Sequence, residues 1–201
     1  MIYFTAPYED REKLIELGAE WDFSRWRWCV ESRENYAKFA KWLDGLLVVD
    51  EIYILSTQIE CPYCGEKTKV AALAVGKYSE NFENKIYGEN EVNVLYGFEN
   101  ISGKLAEYLT KNFPLKKRYY EPYGYKYLIN GCGKCDKVIS DESLFGEEGP
   151  FFINSLQKVN NLKAIKVNFE GDVALNAKVK SSFDRKIFIN LSEIKEIDIK
   201  F

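Results

Sequence analysis

Apolar residues in this chain alternate with polar ones, or run together in short stretches, far more often than they recur at helical spacing. Strands are expected over residues 2–5, ended by Ala6-Pro7, and over residues 26–30, which are aromatic and β-branched. Between them, residues 9–17 put Leu14 and Leu17 on one helical face, with Gly18 at the stop. Ser32 is the expected N-cap of a second helix running to Leu43, with Tyr36, Phe39 and Leu43 on one side. Further strands are predicted at 52–59, 68–75, 125–129 and 137–139. Residues 78–93 read as an acidic surface loop leading to a short strand at 92–96, and 101–113 as a helix with Ile101, Leu105, Tyr108 and Leu109 on one face. The last fifty residues alternate over 164–169, 172–179, 186–191 and 194–201, with turns at Glu170-Gly171-Asp172 and over 181–185. Residues 151–157 fit either helix or strand.

The prediction is an α+β chain in three parts: a small ββ–αα module over 1–45, a middle region over 46–150 with an insertion at 76–125, and a β-rich C-terminal region over 151–201. The C-terminal strands are expected to form a small antiparallel sheet of their own, packed on one of the other parts.

Composition is ordinary for a folded protein, at 46% apolar in 201 residues. The longest apolar run, 46–55, is broken by Asp50 and Glu51, so no membrane span is expected. Met1-Ile2-Tyr3-Phe4 lacks the regions of a secretory leader, which predicts a cytoplasmic location and reduced thiols. Net charge is -3 but uneven: residues 101–137 hold eight Lys and Arg against three Asp and Glu, whereas 51–100 hold four against eight. There is no histidine, which removes the commonest general base and metal ligand.

Candidate chemistry concentrates in the cysteines. Cys61-Pro62-Tyr63-Cys64 and Cys132-Gly133-Lys134-Cys135 are two CxxC motifs, each flanked by predicted strands, and Cys29 is left over as a buried thiol. Two hairpins each presenting a CxxC at the turn bring four thiolates onto one tetrahedral ion, the zinc-ribbon arrangement, and one structural Zn2+ is the expected cofactor. The 67 residues between Cys64 and Cys132 then form an insertion expected to fold on its own account. Two other readings stay open. Cys-Pro-Tyr-Cys is also the active-site sequence of glutaredoxins, although Gly65 to Val70 is poor material for the helix such a site needs. Four cysteines could equally hold an iron–sulfur cluster.

Phe4-Thr5-Ala6-Pro7-Tyr8, Lys13, Leu17-Gly18-Ala19-Glu20-Trp21-Asp22 and Arg27-Trp28-Cys29-Val30 resemble a small domain of unknown function with an LGAxWD core, which recurs in plasmid and phage proteins. The resemblance covers residues 2–43 and departs from the pattern at Cys29, where tyrosine is usual. Cys61, Cys64, Thr68, Val70, Tyr119, Tyr127, Asn130, Cys132 and Cys135 resemble the zinc-ribbon region that follows this module in uncharacterised bacterial proteins. Both resemblances imply a fold and a metal, and neither implies an activity.

The best candidate ligand surface is residues 116–127, where Lys116, Lys117, Arg118 and Lys126 can neutralise phosphates while Tyr120 and Tyr123 stack on bases. Arg25 and Arg27, interleaved with Trp26 and Trp28, could extend it. The same segments are also what a solvated helix end and a packed aromatic strand look like. The expected function is a non-enzymatic, zinc-stabilised binding protein whose partner is DNA or RNA, with a mobile-element or phage setting implied by the resemblance. The alternatives are a protein–protein interaction or inhibitor module, and a metal-dependent nuclease built on Asp184, Glu193 and Lys195.

Overall fold

A computed structural model of the chain describes residues 1–201 except 44, 81, 83, 84, 102, 121–124, 170, 192, 193, 200 and 201, and the side chains of 99, 100, 120, 125, 126 and 191 are likewise outside the description. The N-terminal region is β1 (Ile2–Phe4), a 3-10 turn (Tyr8–Asp10), α1 (Arg11–Glu16), β2 (Glu20–Asp22), β3 (Arg27–Val30) and a 3-10 helix (Arg33–Phe39). Strand β3 lies between β1 and β2, antiparallel to both.

Gly18, Ala19, Trp21 and Asp22 of the LGAxWD motif each have a physical role here. Gly18, at φ 91°, ends α1 with a Schellman pair, its own N–H bonding the Ile15 carbonyl and that of Ala19 the Leu14 carbonyl. Ala19 is buried, and Trp21 sets its ring edge-on to Trp28 at 5.3 Å. Asp22 Oδ1 accepts the amides of Ser24 and Arg25, which shapes the turn into β3. Of the three tryptophans in this stretch, Trp28 is buried and Trp26 stands 74% exposed. Ser32 does not cap an α-helix: it is extended and makes no side-chain cap bond. The apolar pair Tyr36 and Phe39 is spaced by three, which suits the 3-10 turn actually formed.

The remainder is β4 (Leu46–Val48), β5 (Ile52–Glu60), β6 (Lys67–Val75), β7 (Tyr78–Glu80), β8 (Glu91–Asn100), α2 (Gly103–Asn112), β9 (Leu115–Tyr120), β10 (Tyr125–Asn130), α3 (Asp141–Phe145), α4 (Leu156–Asn160), β11 (Lys163–Asn168), β12 (Val173–Asp184), α5 (Arg185–Leu191) and β13 (Ile194–Asp198). Eight of these strands make one curled sheet in the order β13-β11-β5-β6-β8-β12-β4-β7, and β9 and β10 pair as a separate hairpin.

Strands β5 and β6 are apolar at consecutive positions because both faces of the sheet are covered. Ile52, Ile54, Ala71, Leu73 and Val75 face a core closed by Leu105 and Leu109 of α2 and Leu115 and Leu128 of the hairpin. Tyr53, Leu55, Val70, Ala72 and Ala74 face a second core closed by Phe145, Phe151, Val159 and Phe188.

The C-terminal strands do not form the small sheet expected of them. Strand β11 pairs with β5 (Ile165 opposite Ile54), β13 runs parallel to β11, and β12 pairs with β8 and β4. Residues 186–191 are helical where a strand was expected, because Asp184 Oδ1 accepts the Ile187 amide at 2.9 Å as an N-cap and the turn buries Phe188 against Tyr53. The predicted loop at 78–93 contributes β7, and β8 is a ten-residue strand inside the sheet. Residues 137–139 contribute a single bridge, Gly131 to Val138.

The N-terminal region docks on β12 through a parallel bridge between Ile2 and Asp172. The buried Asp172 carboxylate accepts from Tyr36 Oη at 2.8 Å and pairs with the Arg33 guanidinium. Among the described residues, no helix is long and apolar enough to cross a membrane.

Candidate metal centre

The hairpin of β5 and β6 ends at the pair Glu60 and Lys67, and residues 61–66 form the first knuckle. Cys61 N–H bonds the Glu66 carbonyl, and Gly65 N–H the Cys61 carbonyl. The second knuckle repeats the pattern: Cys132 N–H bonds the Lys137 carbonyl, and Asp136 N–H the Cys132 carbonyl. The residue after the last cysteine is left-handed in both, Gly65 at φ 71° and Asp136 at φ 59°, a region open to glycine and tolerated by aspartate.

The four sulfurs of Cys61, Cys64, Cys132 and Cys135 lie within 4.8 Å of one another. The cross-knuckle pairs Cys61–Cys135 and Cys64–Cys132 are each 3.7 Å apart. A disulfide would need about 2 Å. A tetrahedron of thiolates about 2.3 Å from a central ion has edges of about 3.8 Å, which these two pairs match, with the other pairs within 4.8 Å. Backbone N–H groups already point at the sulfurs: Cys135 and Lys134 amides lie 3.5 and 3.4 Å from Cys132 Sγ and depress its pKa to about 6. At Cys64 the Glu66 amide favours the thiolate, but desolvation and the three neighbouring sulfurs outweigh it and push the thiol up to about 12. Left to itself Cys64 keeps its proton, and all four sulfurs could ionise together only around a cation at their centre.

Four contacts hold the knuckles together independently of any ion. Asn130, buried just ahead of Cys132, donates from its side-chain amide to the Ala71 carbonyl and accepts the Ala71 N–H, each at 2.9 Å. It thus supplies a strand partner for β6 beyond Leu73, where the β8 pairing ends. Thr68 Oγ1 accepts the Gly133 amide at 3.0 Å. Lys134 pairs with Glu66, and Lys137 lies 5.0 Å from the Tyr63 ring centroid. Thr68 and Asn130 thus tie the two knuckles together through hydrogen bonds of their side chains. Tyr127 is buried with its hydroxyl on Asp141.

The structure divides the other candidate residues. Lys116 and Arg118 lie on β9 and both reach Asp136, at 2.6 and 2.8 Å, so the second knuckle offsets one charge of the basic run and ties down two of its side chains. The paired cations hold the Asp136 carboxyl below its ordinary range. Asp136 escaped the sequence reading, and its one signal was an aspartate at the position that is glycine in the first knuckle. Lys117 and Tyr119 are exposed on β9. The side chains of Tyr120 and Lys126, and all of Tyr123, lie outside the description. Arg25 stacks on Tyr3 at 4.4 Å and approaches Asp22, and Arg27 is half-buried opposite Asp22, well away in sequence from the hairpin. Cys29 is buried, and desolvation with the nearby acids raises its pKa, as suits an inert core thiol. Of the nuclease set, Asp184 is occupied as the α5 cap, Lys195 lies on β13 and Glu193 lies outside the described residues.

Fold and site together define a mostly β, mixed α/β protein with a four-cysteine cluster able to hold a metal ion at the end of its central hairpin. Residues 1–44 match the model of a domain of unknown function, DUF5710, which covers β1 through the 3-10 helix at Arg33–Phe39. No curated protein and no solved structure matches the chain.

Proposed function

We propose that this chain is a non-enzymatic binding protein closed by one structural zinc ion, with the two knuckles acting as a zinc ribbon whose halves are far apart in sequence. The observation that carries the reading is the set of four cysteine sulfurs at tetrahedral spacing. Four protein thiolates fill the coordination sphere, leaving no position for water or substrate, which is the mark of a structural site. All-thiolate ligation on knuckles suits zinc. Elemental analysis of freshly purified, reduced protein is expected to give one zinc per chain, and Cys135→Ser to lose it. Metal-free protein with an intact fold would overturn the reading.

Nucleic acid is the ligand class supported by the hairpin of β9 and β10, which adjoins the second knuckle and exposes Lys117 beside Tyr119. The mobile-element company of the resembling N-terminal domain supports it by association. Affinity for single-stranded and duplex probes should fall with salt and should weaken in Lys117→Ala with Arg118→Ala. Absent or salt-independent binding would sink it. A protein partner is the second reading, favoured by Phe23 and Trp26, which stand 77% and 74% exposed on one turn.

A further inference from the structure

A cavity of about 700 Å³ opens where the C-terminal end of α2 overhangs the large sheet, and Lys69, Lys158, Lys163 and Lys195 are among its lining residues. No aspartate or glutamate lines it among the described residues. Strand register shows that this is a built arrangement. Strands β6, β5, β11 and β13 are successive neighbours, with Lys69 opposite Gln58, Lys163 opposite Ser56, and Lys195 opposite Ile165. Alternation puts Lys69 on the same face as Leu73, and Lys163 and Lys195 on the same face as Val167 and Ile197. The apolar face that α2 covers therefore gives way to a row of lysines where the helix ends.

From Lys69 to Lys195 the row runs diagonally, crossing three strand spacings, about 14 Å, while stepping along the strands from the level of Gln58 to that of Ile54, about 13 Å, for a span of about 19 Å between backbones. Tyr108 and Asn112 of α2 overhang it, and the partial negative charge of the helix end offsets only about half of one lysine. Lys158 is tethered to the carbonyls of Glu147 and Gly149. Among the described residues, Lys69, Lys163 and Lys195 meet no carboxylate. This differs from Lys116 and Arg118 on Asp136, or Lys166 and Arg185 on Glu51. In a chain with more acidic than basic residues, a concavity that gathers unpaired lysines and excludes acids is suited to an anion.

We infer that this cleft binds a nucleoside polyphosphate. Its volume is that of a small-molecule site, the spread of lysines suits a chain of phosphates, and the aromatic and amide groups of Tyr108, Asn112 and Gln58 offer a base both a stacking edge and hydrogen bonds. The cleft uses none of the β9 residues, so it stands or falls apart from the nucleic-acid reading.

The test is calorimetric titration of the full chain with ATP, tripolyphosphate and adenosine at low salt. ATP is expected to saturate one site, tripolyphosphate to compete with it, and adenosine not to bind. Lys163→Glu with Lys195→Glu is expected to weaken ATP at least about tenfold, since each reversed charge alters a near-surface pair by more than about 1 kcal/mol. Lys178→Glu, at an exposed position of β12 outside the cleft, should leave it unchanged, and the circular dichroism of both variants should match the parent. Single reversals of Lys69 and Lys195 provide the same readout if the double variant does not fold. Absence of saturable ATP binding, ATP binding indifferent to these reversals, or failure of tripolyphosphate to compete would overturn the inference.

Discussion

Replacing Asn130 by alanine removes the side-chain partners of both backbone polar groups of one buried residue, Ala71. Asn130 gives Ala71 a donor and an acceptor at 2.9 Å each, and both residues are almost wholly buried. Stranding a buried N–H or C=O costs about 1–3 kcal/mol, so the pair predicts a loss of about 2–6 kcal/mol, a large part of a total stability on the order of 5–15 kcal/mol. Asn130→Asp keeps the acceptor for the Ala71 amide but turns an anion toward the Ala71 carbonyl. Its carboxyl is then favoured in the neutral form, so its contribution is present at acid pH and lost as pH rises through its elevated folded value. The assay is urea unfolding followed by far-ultraviolet circular dichroism, which reads the sheet. Tryptophan fluorescence would mislead, since all four tryptophans fall within residues 1–44. The expected result is a lower midpoint at unchanged slope. A loss under about 0.5 kcal/mol for Asn130→Ala would refute the reasoning that this side chain serves β6 as a strand partner.

Glu51 is buried with Tyr53 Oη at 2.8 Å, Lys166 at 3.0 Å and Arg185 at 2.6 Å. Burial alone would raise its pKa, but these hydrogen bonds outweigh it and hold the carboxyl below 4.5, so its contribution is present above that value and lost as pH falls through the lowered one. Glu51→Gln should cost about 2 kcal/mol at pH 7, less than a fully buried pair because both cations remain about a third exposed, and the gap to the parent should narrow in denaturation below pH 4. Asp136→Asn frees Lys116 and Arg118 while keeping a side chain that tolerates positive φ, and should raise oligonucleotide affinity several-fold at low salt; unchanged affinity would mean that β9 does not meet phosphates.

The local parts of this fold were readable because they rest on local rules. The Gly18 stop, the helix of Leu105 and Leu109, and the strands on either side of Cys61 follow from spacing within a few residues. The cysteine cluster was readable because two CxxC motifs have few uses in a chain without histidine. What was not readable is pairing between distant strands. Nothing near Ile165 announces that it will face Ile54 across a sheet, and nothing near Lys69 places it in a row with Lys195. The misreading at 186–191 is of another kind: Ile187, Phe188 and Ile189 have strand propensity, and one cap from Asp184 with one fully buried ring, worth about 1.5–3 kcal/mol, decides for a helix. The Lys116 to Asp136 pairing was hidden because a basic run looks available until its counterions are located.

The two knuckles differ in when they can exist. Cys61 and Cys64 sit on the turn between adjacent strands, so this half of the site forms as soon as β5 meets β6, an event of short sequence separation and therefore fast. Cys132 and Cys135 are joined to that hairpin by contacts of long sequence separation, among them Asn130 on Ala71, which loop closure makes slower to form. If an ion is held there, its capture by all four sulfurs is expected late in assembly, and its removal should open the chain from one side. Hydrogen exchange in metal-depleted protein should rise first in β10 and the second knuckle while the amides of β5 and β6 stay protected, as expected if a bound ion is a latch on the finished chain and nucleation belongs to the hairpin.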